Sequence, residues 1–361
     1  MRSYDLGNPE LDAMLTELVE RSADNGNADL IAEMVVTVLK LHRDGAGRGD
    51  LKLVNTALKE MRYSMLVFSR HDEPKVTMFG SARMTSEDPN YALAERFAEI
   101  MADRKWGVVT GAGPGIMEAG NRGAGLDASY GVNIRLPFES EANSFVTPEK
   151  TVNFKYFFTR KLGFVKESHA FVLFPGGFGT LDETFELLTL VQTGKSDLHP
   201  IVMIEQQGTG YWGPVMDFMH NVLAAKGFIS ENDGSLFTFT NDPVEAADVI
   251  CRFYANFHSQ RYVDGRLVLR LNQAPDPAQL EHLNDAYSDI VVEGRIEVID
   301  PTPPELRDED ALECARVAFR FDRRQFGRLR EMIDELNTLV ATPEQVHPPS
   351  AFRTEQADRS F

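Results

Sequence analysis

Cysteine is scarce in this chain. Only Cys251 and Cys314 occur among 361 residues, with no Cys-x-x-Cys, so neither a disulfide framework nor a cysteine-based zinc site is expected. The eight histidines are scattered, without a His-x-x-x-His or comparable ligand pair, and no metal is expected. Basic residues are outnumbered, 37 Lys and Arg against 55 Asp and Glu, for a formal net charge of −18. Such a surface repels nucleic acid and anionic membranes, so neither is an expected partner. Small anions must be captured by local N–H groups and a few basic side chains. Long apolar runs are missing too. Nothing approaches the ~20 residues needed to span a bilayer, and the N-terminus has no uninterrupted apolar segment of signal-peptide length. A cytoplasmic location is the expectation. What is present is ordinary, 43% apolar and 25% charged residues, as in soluble globular proteins, in a length that suits about two or three domains.

From Pro9 to about Ser69 apolar residues recur at helical spacing, as in Leu11, Met14, Leu15, Leu18 and Val19. This predicts an N-terminal helical segment over residues 1–70 that packs on the core or on a partner subunit and carries no chemistry. Short apolar runs then alternate with helical patterns. Strands are predicted at Lys75–Phe79, Trp106–Thr110, Ser129–Ile134, Ala170–Phe174 and Pro200–Ile204, with helices at Tyr91–Met101, from Ile116, and at Tyr156–Glu167, Thr180–Gln192 and Tyr211–Ala225. Alternation of this length predicts an α/β fold, a Rossmann-like doubly wound parallel sheet over residues 71–260. Asp242 is placed to cap a helix running to about Phe257. Residues 261–341 read as a small α+β unit of order β-α-β-β-α, interrupted by the turn Asp300-Pro301-Thr302-Pro303-Pro304, and the polar tail 342–361 is expected to be mobile.

Three glycine turns end strands: Gly80-Ser81-Ala82-Arg83, Gly111-Ala112-Gly113-Pro114-Gly115, and Pro175-Gly176-Gly177-Phe178-Gly179-Thr180. Ligands of such sheets bind outside the strands' carboxyl ends, so the turns can share one crevice. Glycine lets the backbone approach a phosphate, and helix-start N–H groups attract it. The middle turn is not Gly-x-Gly-x-x-Gly, Gly131 stands where a ribose-binding acid would follow, and no Gly-Lys-Ser/Thr completes a Walker loop. A mononucleotide or sugar phosphate fits better than a dinucleotide. Arg83 could serve phosphate or simply lie on the surface. Glu118, Asp182 and Glu183 could favour a helix dipole, yet a pocket that only held phosphate would gain nothing from Asp182 and Glu183 beside it. Arg160 and Lys161 form a basic pair that faces either solvent or the pocket.

The run Pro175-Gly176-Gly177-x-Gly179-Thr180-x-x-Glu183, with Arg160-Lys161 and the Gly111–Gly115 turn followed by Ile116-Met117-Glu118, resembles the Lonely Guy (LOG) family of phosphoribohydrolases, often mislabelled lysine decarboxylase. The resemblance covers about residues 75 to 255 and is closer in plan to longer bacterial members than to short plant-type ones. It implies a Rossmann-like homodimeric core, no cofactor, and hydrolysis of the N-glycosidic bond of a nucleoside 5′-monophosphate, AMP or a related purine nucleotide such as a cytokinin riboside monophosphate. By the same resemblance Glu183 and Arg160 form the catalytic pair, and Gly176, Gly177, Gly179 and Thr180 hold phosphate. Gly80 and Ser81 match the family's first turn, and Gly111, Gly113, Gly115, Glu118 and Lys161 join the substrate-binding set. Rivals from other classes are a non-catalytic carrier of a nucleotide or phosphorylated cofactor, a scaffold with an idle core, and a pyridoxal phosphate decarboxylase using Lys155, Lys161, Lys166 or Lys195.

Overall fold

The computed structural model describes residues 5–22, 27–135, 142–341 and 348; the tail expected over 342–361 lies outside them apart from Pro348. Contacts divide the chain into two units, Met1–Arg62 and Tyr63–Phe361. In the first, α1 (Pro9–Ser22) and α2 (Ala28–Arg43) bury Leu15, Val19 and Val36 against one another. The helix α3 (Arg48–Phe68) crosses into the second unit, where Val67 and Phe68 join the main core.

That core is built on β1 (Lys75–Phe79), α4 (Pro89–Asp103), β2 (Gly107–Thr110), α5 (Ile116–Ala128), β3 (Ser129–Ile134), β4 (Thr151–Phe154), α6 (Phe157–Glu167), β5 (Ala170–Leu173), α7 (Phe178–Gln192), β6 (Ile201–Ile204), α8 (Trp212–Phe218), β7 (Thr238–Thr240) and α9 (Pro243–Phe253). The strands form one parallel seven-stranded sheet in the order β4-β3-β2-β1-β5-β6-β7. Val76, Met78, Val108, Val109, Val172 and Val202 are completely buried, because a parallel sheet covered by helices hides both faces of its strands. Chain order runs outward in both directions from β1 and β5, which makes the gap between their carboxyl ends the topological switch point, the usual ligand crevice of an open α/β sheet. Asp88 and Asp242 accept N–H bonds at the starts of α4 and α9, each followed by Pro at the first helical position, worth about 1 kcal/mol per cap.

Then come β8 (Phe257–Val263), β9 (Arg266–Leu271), α10 (Pro277–Ala286), β10 (Val291–Val298), α11 (Pro303–Asp308), β11 (Ala315–Phe321) and α12 (Phe326–Asn337), with an antiparallel sheet ordered β10-β11-β9-β8. Several elements depart from the sequence expectation. The edge strands β4 and β7 were not foreseen, since neither Thr-Val-Asn-Phe nor Thr-Phe-Thr is a continuous apolar run. The helix expected to end near Phe257 stops at Phe253, and β8 follows, so the C-terminal sheet has one more strand than the predicted β-α-β-β-α order. In β8 only Phe257, Gln260 and Val263 are buried, a spacing of three that imitates a helix. Past Phe218 the helix widens into a π-helical turn, Met219–Ala224. The proline-rich turn starts α11, since Thr302 and Glu305 close a reciprocal cap around Pro303.

Candidate active site

The three glycine turns leave the adjacent strands β2, β1 and β5 and are knotted together at Ser81. The Ser81 N–H donates to the Pro175 carbonyl at 3.0 Å, and its carbonyl accepts from the Ile116 N–H at 3.1 Å. Two glycines are demanded by this knot. Gly115 has φ +70°, and a Cβ there would stand 2.3 Å from the Ser81 carbonyl oxygen; at Gly176 it would stand 2.1 Å from Thr180 Oγ1. Ala112 also sits at positive φ, 57°, a conformation costing about 1–2 kcal/mol for a residue with a Cβ. Thr110 Oγ1 and the Asn143 N–H bond its two backbone groups, at 2.9 and 2.8 Å.

Over the knot lies an open cleft of about 790 Å³. Gly80, Ser81, Arg83, Gly111, Gly113, Arg160, Gly176, Gly177, Gly179, Thr180, Asp182 and Glu183 all line it. Gly115, Glu118 and Lys161 do not. Gly115 shapes the knot from beneath, and Glu118 is half-buried beside the Tyr91 hydroxyl at 3.5 Å. The N-cap of α7 is Gly177, which has no side chain to bond the first-turn N–H groups, and such groups suit an anion.

Arg160 reaches the cleft from α6. Its Nε donates to the Val132 carbonyl at 2.8 Å, and the guanidinium lies 5.2 Å from the Phe164 ring centre. Its Nη2 stands 2.4 Å from where a Cβ on Gly111 would be, so the missing side chain at Gly111 makes room for this cation.

Asp182 and Glu183 have different surroundings. Asp182 is exposed and pairs with Lys161 Nζ at 2.8 Å, and Lys161 also reaches Glu186 at 2.8 Å. Burial alone would lower the Lys161 pKa, but its two carboxylates outweigh that and hold it above the usual lysine value. Glu183 is half-buried and accepts no hydrogen bond among the described residues. Burial pushes its carboxyl up to about 7, with Glu186 and Asp182 adding to the rise and Lys161 and Arg160 opposing it. A carboxyl poised there exchanges a proton readily near neutrality.

Sequence reasoning missed Tyr211. It lines the cleft and its hydroxyl donates to the Gly176 carbonyl at 2.7 Å, while Glu205 receives its N–H at 2.6 Å. The Gly-Thr-Gly run before it signals a loop, but nothing in sequence ties that loop to Gly176. Two exposed aromatics, Phe157 and Phe178, also line the cleft; Phe178 is 94% exposed inside the glycine loop.

Residues 111–250 match the family model described as "Possible lysine decarboxylase". That description implies pyridoxal phosphate and hence a lysine amine at the cleft; none of the lining residues is lysine, and Lys161 is committed to Asp182 and Glu186, so the residues do not fit that cofactor. The cytokinin riboside 5′-monophosphate phosphoribohydrolase LOG1 of Arabidopsis thaliana is 37% identical over 71 residues, 20% of this chain and 32% of that protein. The probable cytokinin riboside 5′-monophosphate phosphoribohydrolase LOGL2 of Oryza sativa subsp. japonica is 30% identical over 86 residues, 24% of this chain and 34% of that protein. The chain thus spans about a third of the length of these relatives. A solved structure, that of the structural-genomics target TM1055, covers 49% of this chain and 98% of its own at 20% identity and a TM-score of 0.37. No helix among the described residues is long and apolar enough to cross a membrane. Over this glycine-loop region the family model and these relatives make the chain similar to the Lonely Guy family.

Proposed function

We propose that the cleft hydrolyses the N-glycosidic bond of a nucleoside 5′-monophosphate, giving free base and ribose 5-phosphate. The observation that carries this is Glu183, a half-buried carboxyl at about 7 that accepts no hydrogen bond among the described residues, beside a glycine knot suited to phosphate. The N–H groups at the start of α7 and Thr180 grip the 5′-phosphate, and that remote binding energy positions the anomeric carbon. As the ribosyl C–N bond breaks, its electron pair leaves with the base and positive charge develops on the sugar. Ionised Glu183 stabilises this charge and takes a proton from the water that attacks the anomeric carbon; the departing base is protonated in turn. Arg160, fixed by Val132 and Phe164, balances the phosphate and Glu183 charges in the cleft.

The matched relatives are named for cytokinin riboside 5′-monophosphate, so N6-isopentenyl-AMP belongs beside AMP, GMP and CMP among the substrates tested. Purified protein incubated with each is assayed for ribose 5-phosphate and for binding. Release of base and ribose 5-phosphate in equal amounts from at least one nucleotide is expected. Binding without release from any of them would replace hydrolysis by a carrier role.

A further inference from the structure

Below its first turns, α7 turns Phe185, Leu188, Thr189 and Gln192 toward a second cavity, separate from the cleft and about 230 Å³ in volume. Its opposite wall comes from α8, the π-helical turn Met219–Ala224 and the segment Ile229–Phe237. Three independent features mark this place. The first is size: a cavity of roughly 150 Å³ lined by aliphatic and aromatic side chains can hold benzene, so this one has space for an aromatic ring with a short substituent. The second is the π-helical turn in its wall, a distortion frequent at functional sites.

The third is Asp233, which lines the cavity and is only 7% exposed. Its Oδ2 accepts from the Ser230 N–H at 2.8 Å and from Gln192 Nε2. Its Oδ1 is buried and has no partner among the described residues. A buried carboxylate oxygen left without a donor costs more than a typical hydrogen bond contributes, which favours a ligand that brings one. The lining contains a second carboxylate, Glu231, and neither Lys nor Arg; the group aimed at Asp233 is therefore a donor, and a positive one is best accommodated.

We propose that this cavity binds a small organic amine, its compact apolar body against Leu188, Met219 and Leu223 and its ammonium donating to Asp233 Oδ1. The site stands whether or not the cleft hydrolyses nucleotides. The probe is benzylamine, titrated by calorimetry into the full-length protein at neutral pH, with benzyl alcohol as the neutral molecule of matching shape. Benzylamine is expected to saturate a single site, with benzyl alcohol at least about tenfold weaker because its hydroxyl brings no positive charge to the Asp233 carboxylate. Asp233→Asn should reduce benzylamine to the level of the alcohol. Because Asp233 also caps the turn after Ser230, a second variant, Leu223→Trp, fills the cavity and leaves the cap intact; it should abolish binding of both molecules. Failure of benzylamine to saturate, equal affinity for amine and alcohol, or binding that survives Leu223→Trp, as loose attraction to the acidic surface would, each overturns the proposal.

Discussion

Two glutamates of the larger unit, Glu183 on α7 and Glu305 on α11, show what the same side chain becomes in different company. Glu305, on α11 against the C-terminal sheet, is completely buried, yet every direction around it is filled. Thr302 donates its N–H and hydroxyl to Oε2 at 2.9 and 2.6 Å, and Arg270 and Arg316 donate to Oε1 at 2.7 and 3.1 Å. Burial alone would raise its pKa, but the two Thr302 bonds and Arg270 outweigh it and hold Glu305 down at about 2. Glu183 in the cleft is less buried, accepts no such bond among the described residues, and is pushed up to about 7. A carboxylate whose lone pairs are all taken is structural; one that keeps them free, at a pKa near the working pH, is available for chemistry.

Exchanging each glutamate for glutamine separates the two roles. Glu183→Gln should lower ribose 5-phosphate release by about 10²–10⁴-fold, the usual worth of a general base, while nucleotide binding measured by calorimetry survives. Glu305→Gln should leave turnover per folded molecule unchanged. In denaturant unfolding the order reverses. Glu305→Gln removes the charge shared by Arg270 and Arg316 and should cost about 3–5 kcal/mol, as breaking a buried ion pair does, whereas Glu183→Gln should stay within about 0.5 kcal/mol at a pH where Glu183 is protonated.

The pH dependence of stability should have opposite signs at the two sites. Glu183 is raised above its ordinary value of 4.5, so its contribution is fully present below that value and lost as pH rises through about 7; Glu183→Gln should flatten this part of the curve. Glu305 is lowered to about 2, so its contribution is present above the ordinary value and lost as pH falls toward 2. Activity that uses ionised Glu183 should rise through about pH 7 and then level.

Smaller effects test how Glu183 and Arg160 are held. Gly111→Ala places a Cβ 2.4 Å from Arg160 Nη2 and 2.6 Å from Met117 Sδ, and should destabilise by about 1–3 kcal/mol while displacing the guanidinium. Gly177→Ala, with nothing within 4 Å of the new Cβ, should fold as well as the parent, and any loss should appear as weaker phosphate binding. The mildest change is Lys161→Met. Lys161 lowers the Glu183 pKa, so its removal should move the activity profile to higher pH with little loss at the plateau.

The parallel sheet was legible because its central strands are short runs of buried apolar residues between glycine turns and helical patterns. Strands without that signature were hidden: Phe257–Val263 is mostly polar and repeats every three residues, and Thr238–Thr240 is too short to show any period. At the site, sequence could bring the glycine turns to one crevice and nominate Glu183 through its motif. It could not assign Asp182, because the pairing with Lys161 arises only when α6 and α7 lie side by side. Tyr211 was illegible for the same reason, since its bond to Gly176 joins residues 35 positions apart.

The most direct test of the contrast is a carbon-13 NMR titration of the glutamate side-chain carboxyls, with Glu183→Gln and Glu305→Gln used to assign the two resonances. The resonance lost in Glu183→Gln should titrate with a midpoint near 7, and the one lost in Glu305→Gln should still be ionised well below the ordinary glutamate value of 4.5. A Glu183 midpoint at that ordinary value would contradict the account, because the carboxyl would then be an unperturbed surface acid.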